Sequence, residues 1–169
     1  MPGFWFELDA LGQRGVGEVR PNFTCWATPP SCRSLRAEQA PGQVRNLVRH
    51  SPAFCKQSWT KVTIKQTTRG PMRWRYKAAR VQLPNTAVGP KTPTDRRYWL
   101  IWAQNPTTGE NKYFLSNTAE STKILDLLRV GFSRWHIEKW FERAKQETGF
   151  GAFEVRTYDG LIRHWLCSQ

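Results

Sequence analysis

The clearest periodic signals in this chain alternate every second residue. In TKVTIKQ (Thr60 to Gln66), Lys61, Thr63 and Lys65 fall on one side and Val62 and Ile64 on the other. MRWRYKA (Met72 to Ala78) repeats the pattern, with Arg73, Arg75 and Lys77 opposite Trp74 and Tyr76. A period of two belongs to strands. The TTRGP between the two runs predicts a β-hairpin. Its exposed face would carry Lys61, Lys65, Arg73, Arg75 and Lys77, with Val62, Ile64, Trp74 and Tyr76 on the other side. RRYWLIWAQ and KYFLSN, parted by NPTTGEN, predict a second hairpin. LPNTAVGPKTPTD reads as a Pro/Thr linker between the hairpins.

Helical periodicity lies at the two ends. FWFELDALGQRG predicts a short helix stopped at Gly12, and VGEVRPN a strand ended by Pro21. A helix followed directly by a strand suggests that the chain starts partway through an α/β unit. From Cys25 to Gly42 the text is rich in Pro, Ser, Arg and Ala and predicts loop. TAESTKILDLLRVGFS predicts a helix with Ile124, Leu125 and Leu128 buried. A second helix, SRWHIEKWFERAKQETG, would follow, with Ser133 as N-cap and Gly149 as C-cap. At about 100° per residue, Arg134, Glu138 and Lys145 fall within about 40° of one another on it. Ile137, Trp140, Phe141 and Ala144 form an adjacent apolar face. By itself the Arg134–Glu138 spacing is that of an ordinary ion pair between successive turns. The tail FEVRTYDGLIRHWL mixes a short extended piece with a last helix.

Composition narrows the class. An apolar fraction of 39% that includes nine Trp and nine Phe is enough for a packed core and excludes disorder throughout. Lys and Arg number 26 against 13 acids, a net charge of +13, which favours a polyanionic partner, nucleic acid foremost. MPGFWFELDALG has no cationic segment followed by an apolar run, and no stretch has the length of a membrane span. A cytoplasmic protein without a membrane partner is expected. Cys25, Cys32, Cys55 and Cys167 form no C-x-x-C pair, so even with His50 near them they are expected to be ordinary reduced thiols and not zinc ligands.

The tail, RW-x-IE-x-x-F-E-x-AK-x-E-x-G-F-x-x-x-EVR-x-Y-x-G-x-x-RH, resembles the closing segment of DDE transposases from bacterial insertion sequences. In those enzymes the last catalytic acid sits in a signature of Tyr, two residues, Arg, three residues, Glu, six residues, Lys. Arg134, Glu138 and Lys145 match its last three members in type and spacing, while Gly131 stands where the signature has Tyr. RRYWLIWAQNPTTGENKYFLSNTAES is similar to the strand, hairpin and LSN stretch before that helix. FELDALGQRGVGEV is similar to the helix and strand after the family's second catalytic Asp.

The resemblance implies an α+β chain derived from an α/β parent: part of a ribonuclease-H-like transposase core with a β-rich insertion. Residues 1–24 would be core, 25–120 the insertion with its basic hairpin, and 121–169 the helical part of the core carrying the third acid. In the family, two Asp and one Glu hold two divalent cations, Mg²⁺ or Mn²⁺, for in-line attack at phosphorus. Glu138 would be the catalytic, metal-binding Glu, and Arg134 and Lys145 would contact phosphates of double-stranded transposon-end DNA. The chain has only four Asp (Asp9, Asp95, Asp126 and Asp159), and none ends an apolar strand. The family's two Asp would therefore lie before Met1, leaving this chain unable to cut or join DNA alone. His136 and His164 are expected to be structural or surface groups, Glu142 a solvent-facing partner for a cation, and Trp135 and Trp140 core residues.

Two other functions fit the same residues. A non-catalytic fragment could bind transposon ends, full-length transposase or a second copy of itself, and so inhibit transposition. An unrelated basic DNA- or RNA-binding module would share the charge and owe the helix pattern to coincidence.

Overall fold

The computed structural model describes residues 2–27, 40–68, 70–85 and 92–147, with residues 134–141 and 144–147 described by backbone alone. The chain divides into two compact units, Met1–Gly131 and Phe132–Gln169. The first is α+β. Its elements run α1 (Pro2–Ala10), β1 (Val16–Glu18), β2 (Thr24–Cys25), β3 (Gly42–Gln43), α2 (Val44–His50), α3 (Pro52–Cys55), β4 (Thr60–Thr67), β5 (Gly70–Pro84), β6 (Pro93–Gln104) and β7 (Asn111–Ser116). Helix α4 (Ile124–Glu147) begins in the first unit and carries the described backbone of the second.

Local chemistry explains most of these boundaries. Gly12 ends α1 with φ 65°, a left-handed conformation that a Cβ would disfavour. The Gly12 N–H donates to Asp9 O at 3.1 Å and the Gln13 N–H to Leu8 O at 2.9 Å, the paired bonds of a Schellman stop. Ser51 caps α3, its hydroxyl accepting from the Ala53 N–H, and Pro52 occupies the first helical position. Between β6 and β7 the Asn105 side chain accepts from the Thr107 and Thr108 N–H groups, and Gly109 turns the chain back with φ 74°.

One five-stranded sheet, in the order β1-β7-β6-β5-β4, organises the first unit, and every described pairing in it is antiparallel. The α/β start expected from the opening helix and strand is not continued: β1 runs antiparallel to β7, and the long strands are joined as hairpins. The first hairpin is longer than its alternation suggested. β5 extends to Pro84, and β6 begins at Pro93 inside the expected Pro/Thr linker. Pro84 pairs with Pro93 past a register shift, at the end of the ladder, where missing N–H groups cost least.

Cross-strand partners define two faces. Ala79, Leu100, Leu115 and Gly17 lie in one row, with Val81 beside Tyr98 in the next. This face packs against Trp5 of α1, Cys25 of β2, Val44 and Val48 of α2 and Phe54 of α3, forming the main core. On the other face lie Ile101 and Phe114. A Cβ on Gly131 of α4 would stand 2.9 Å from the Phe114 ring, so glycine allows that close approach.

The segment from β7 to α4 is pinned residue by residue. Ser116 Oγ donates to Gly15 O at 2.7 Å. The buried Asn117 side chain accepts from the Gly15 N–H at 2.7 Å and donates to Asp9 Oδ1 at 2.7 Å and Gln13 O at 2.8 Å. Arg80 donates to Thr118 O, and Trp99 Nε1 to Ala119 O. Asp9 also accepts from the Tyr98 hydroxyl and pairs with Arg96 at 3.0 Å.

Two successive helices were expected between Asn117 and Gly149, and among the described residues one continuous helix occupies that stretch. α4 runs without interruption through Ser133, which therefore lies inside the helix and not at its N-terminus. No proline interrupts the run, and one internal glycine is a tolerable cost in a helix of this length. Leu127 and Leu128 are its buried leucines in the first unit, while Ile124 and Leu125 are half-buried. The tail after Glu147, with Gly149, Asp159, His164 and Cys167, lies outside the described residues, as does Cys32.

Replacing Gly131 by Ala should destabilise the protein by about 1–3 kcal/mol, because the new Cβ would stand 2.9 Å from the buried Phe114 ring and force it to shift. Denaturant titration measures this. Phe114→Leu added to the glycine variant should restore part of the loss, and simple additivity of the two losses would refute the contact.

Burial pushes the Cys25 thiol up from 9.0 to about 12. Burial first, and then the hydrogen bond to Asp9, also raise the Tyr98 hydroxyl. A raised folded value means that stability is intact below the unfolded value and declines as pH climbs through the folded one. Unfolding free energy should therefore fall between pH 9 and about 12. Cys25→Ala should be less stable at neutral pH yet show a shallower alkaline decline, checked by denaturant titration across that range.

Candidate nucleic-acid interface

Beyond the part of the sheet that the helices cover, the core face continues as a cluster of cations and indoles. Lys77 sits across from Trp102, and Arg75 across from Gln104 on one side and Lys61 on the other. The Trp59 ring, just before β4, lies 4.5 Å centroid to centroid from Trp102 in an edge-to-face arrangement. The Arg75 guanidinium lies 4.6 Å from the Trp59 ring centre and the Lys77 ammonium 5.1 Å from it. Such contacts hold a cation over the negative face of the ring without neutralising it.

Polar bonds fix the same groups. Arg75 donates through Nε and a terminal nitrogen to Gln104 Oε1, and Lys77 Nζ donates to Phe54 O at 2.9 Å, at the end of α3. Trp102 Nε1 donates to Asn111 Oδ1 at 2.8 Å. Lys61 and Arg73 are exposed at the rim, and a shallow recess runs between them beside Pro106. Among the described residues none of Lys61, Arg73, Arg75 and Lys77 has a carboxylate partner.

The expected five-cation face is corrected at three positions. A bulge at Ile64 shifts the register, so that Thr63 faces Arg73 but Lys65 faces Met72. Lys65 is thereby carried to the side of Val62 and Trp74, away from the other cations. Arg75 and Lys77 are half-buried and not exposed, because the indoles and Gln104 pack on them.

Alternation also gave no hint of Trp59 and Trp102. A different signal marks the region. Between Glu38 and Asp95 the chain contains no acid, while Arg45, Arg49, Lys56, Lys61, Lys65, Arg69, Arg73, Arg75, Lys77, Arg80 and Lys91 all fall within it.

Arg134, Glu138 and Lys145 all lie on the unbroken α4, so their spacing keeps them in one stripe by helix geometry. Their side chains lie outside the described residues, as do those of Trp135, His136 and Trp140. Glu142 is exposed. No group of three or more His, Cys, Asp or Glu able to hold a metal occurs among the described residues. Asp9 has both carboxylate oxygens engaged, Asp95 is exposed, and Asp126 pairs with Arg129 at 3.5 Å. Cys25 is sealed in the core, whereas Cys55 and His50 are exposed. Among the described residues no helix is long and apolar enough to cross a membrane. No family model, curated protein or solved structure matches the chain.

Arg75→Ala removes a fixed fork and a ring contact and should cost about 1 kcal/mol of stability. Arg73→Ala, at the exposed rim, should change stability by less than about 0.5 kcal/mol. Thermal or denaturant unfolding of the two variants checks the difference, and equal losses would contradict the packed role of Arg75.

Proposed function

We propose that this protein binds DNA through the cationic end of its sheet, as the DNA-handling segment of a DDE-type transposase. The observation that carries DNA binding is the convergence of Lys61, Arg73, Arg75 and Lys77 at one end of the sheet with no carboxylate partner among the described residues. Unneutralised cations held in place attract phosphates and release condensed counterions when they bind. Contacts of this kind set position and affinity without reading sequence.

The transposase setting rests on the signature spacing of Arg134, Glu138 and Lys145, supported by the unbroken course of α4. In that setting Glu138 is the third acid of a ribonuclease-H-like site using Mg²⁺ or Mn²⁺, and Arg134 and Lys145 hold transposon-end phosphates. One carboxylate on a helix cannot hold two cations, and Asp9, Asp95 and Asp126 do not converge with a second. The chain alone therefore binds DNA without cutting it. A basic nucleic-acid-binding module unrelated to transposases is the second reading. It is favoured by a sheet that is antiparallel in every described pairing.

Duplex titrations at several salt concentrations test the proposal. Affinity should fall steeply with salt, and Lys61→Ala or Arg73→Ala should each lower the logarithmic slope by about 0.9. Lys65→Ala, on the other side of the ribbon, should leave the slope unchanged. Glu138→Gln should leave binding intact while Arg134→Ala and Lys145→Ala weaken it. Binding that does not respond to salt would overturn the reading.

A further inference from the structure

Phosphate contacts alone make no use of the rings beside the cations. Trp59 and Trp102 are half-buried and lie against each other at the same end of the sheet as Lys61 and Arg73. Duplex DNA offers phosphates and groove edges, but the flat faces of its bases are hidden in the stack. An unpaired strand offers phosphates and base faces together. We infer that this end of the sheet takes an unpaired segment of DNA strand, its phosphates on Lys61, Arg73 and Arg75 and its bases against Trp59 and Trp102. The inference rests on the DNA-binding reading and specifies the form of the DNA.

The surface is set before any ligand arrives. Trp59 is held by the Arg75 guanidinium and the Lys77 ammonium over its ring and by its edge-to-face contact with Trp102. Trp102 is held in turn by its bond to Asn111, which also accepts from Gln104 Nε2 at 3.1 Å. Rings already fixed lose little freedom when a base settles on them. Alternate residues of a strand repeat at about 6.8 Å, so Arg73 and Arg75, with Lys61 opposite Arg75, form a short straight ladder. A single strand can straighten to follow such a ladder, whereas a duplex backbone winds away from it. The cations set affinity for either form, and the rings distinguish them.

The test compares a fluorescein-labelled oligothymidylate with a duplex of equal phosphate number, by anisotropy at matched salt on the full chain. The oligothymidylate should bind at least about tenfold more tightly, the order of one base stacked on an aromatic ring, and should quench tryptophan fluorescence. Trp59→Leu should weaken binding of the oligothymidylate more than of the duplex and so remove that preference, whereas Arg73→Ala should weaken both ligands alike. Should Trp59→Leu fail to fold by circular dichroism, Trp102→Leu and the quenching of the unaltered protein decide the matter. Equal or tighter binding of the duplex, or a preference that survives loss of either ring, overturns the inference and leaves DNA binding standing. Binding of neither ligand removes both.

Discussion

A single buried amide ties the first unit together. Asn117 lies at the end of β7 and is 1% exposed, yet both ends of its side chain are bonded. Its oxygen takes the Gly15 N–H, and its nitrogen reaches Asp9 and Gln13. A buried amide left unpaired would be costly, so these bonds form together or not at all. They fasten the end of α1 to the edge of the sheet, which allows Trp5 to close the core over Gly17. They also draw in Asp9, whose remaining contacts to Tyr98 and Arg96 fix the start of β6. The only Asp of the opening helix is thereby a structural group, with both carboxylate oxygens engaged.

Closure of the core decides where charge can sit. Helices α1, α2 and α3 cover one face of the sheet only as far as Ala79 and Trp102. Further along β5, the positions that continue the same row are Lys77, Arg75 and Arg73. Burying these cations outright would be prohibitive, and leaving them fully solvated would give up the indole surface beside them. The structure takes an intermediate course for Arg75 and Lys77, with their charged heads set over Trp59 and bonded to Gln104 and the Phe54 carbonyl. Core and cationic surface are one face of the sheet at different distances from the helices.

Much of this was legible in the chain itself. The two-residue period gave the first hairpin, and two apolar, aromatic runs parted by NPTTGEN gave the second, whose strands are buried on both faces over Ile101 and from Tyr113 to Ser116. Gly12 gave the end of α1, because a left-handed stop has few alternatives. What escaped were features with no period. The bulge at Ile64 inserts one residue and sends Lys65 to the other side, and nothing in TKVTIKQ announces it. Ser133 has the chemistry of a cap, but a cap forms only where the chain leaves the helix, and here the helix runs on through it. Trp59 stands outside any strand and joins the cation cluster only through folding. For the stripe of Arg134, Glu138 and Lys145, the helix itself was legible while the company of its side chains was not.

β4, eight residues long, is also the last strand of the sheet among the described residues. A flat edge of that length invites a second chain to add itself as another strand and to continue into a fibril. Lys61 places a charge on the edge, and the bulge at Ile64 breaks the regular spacing of hydrogen-bonding groups that an added strand would need. The same irregularity that moves Lys65 therefore makes β4 a poorer template for an added strand.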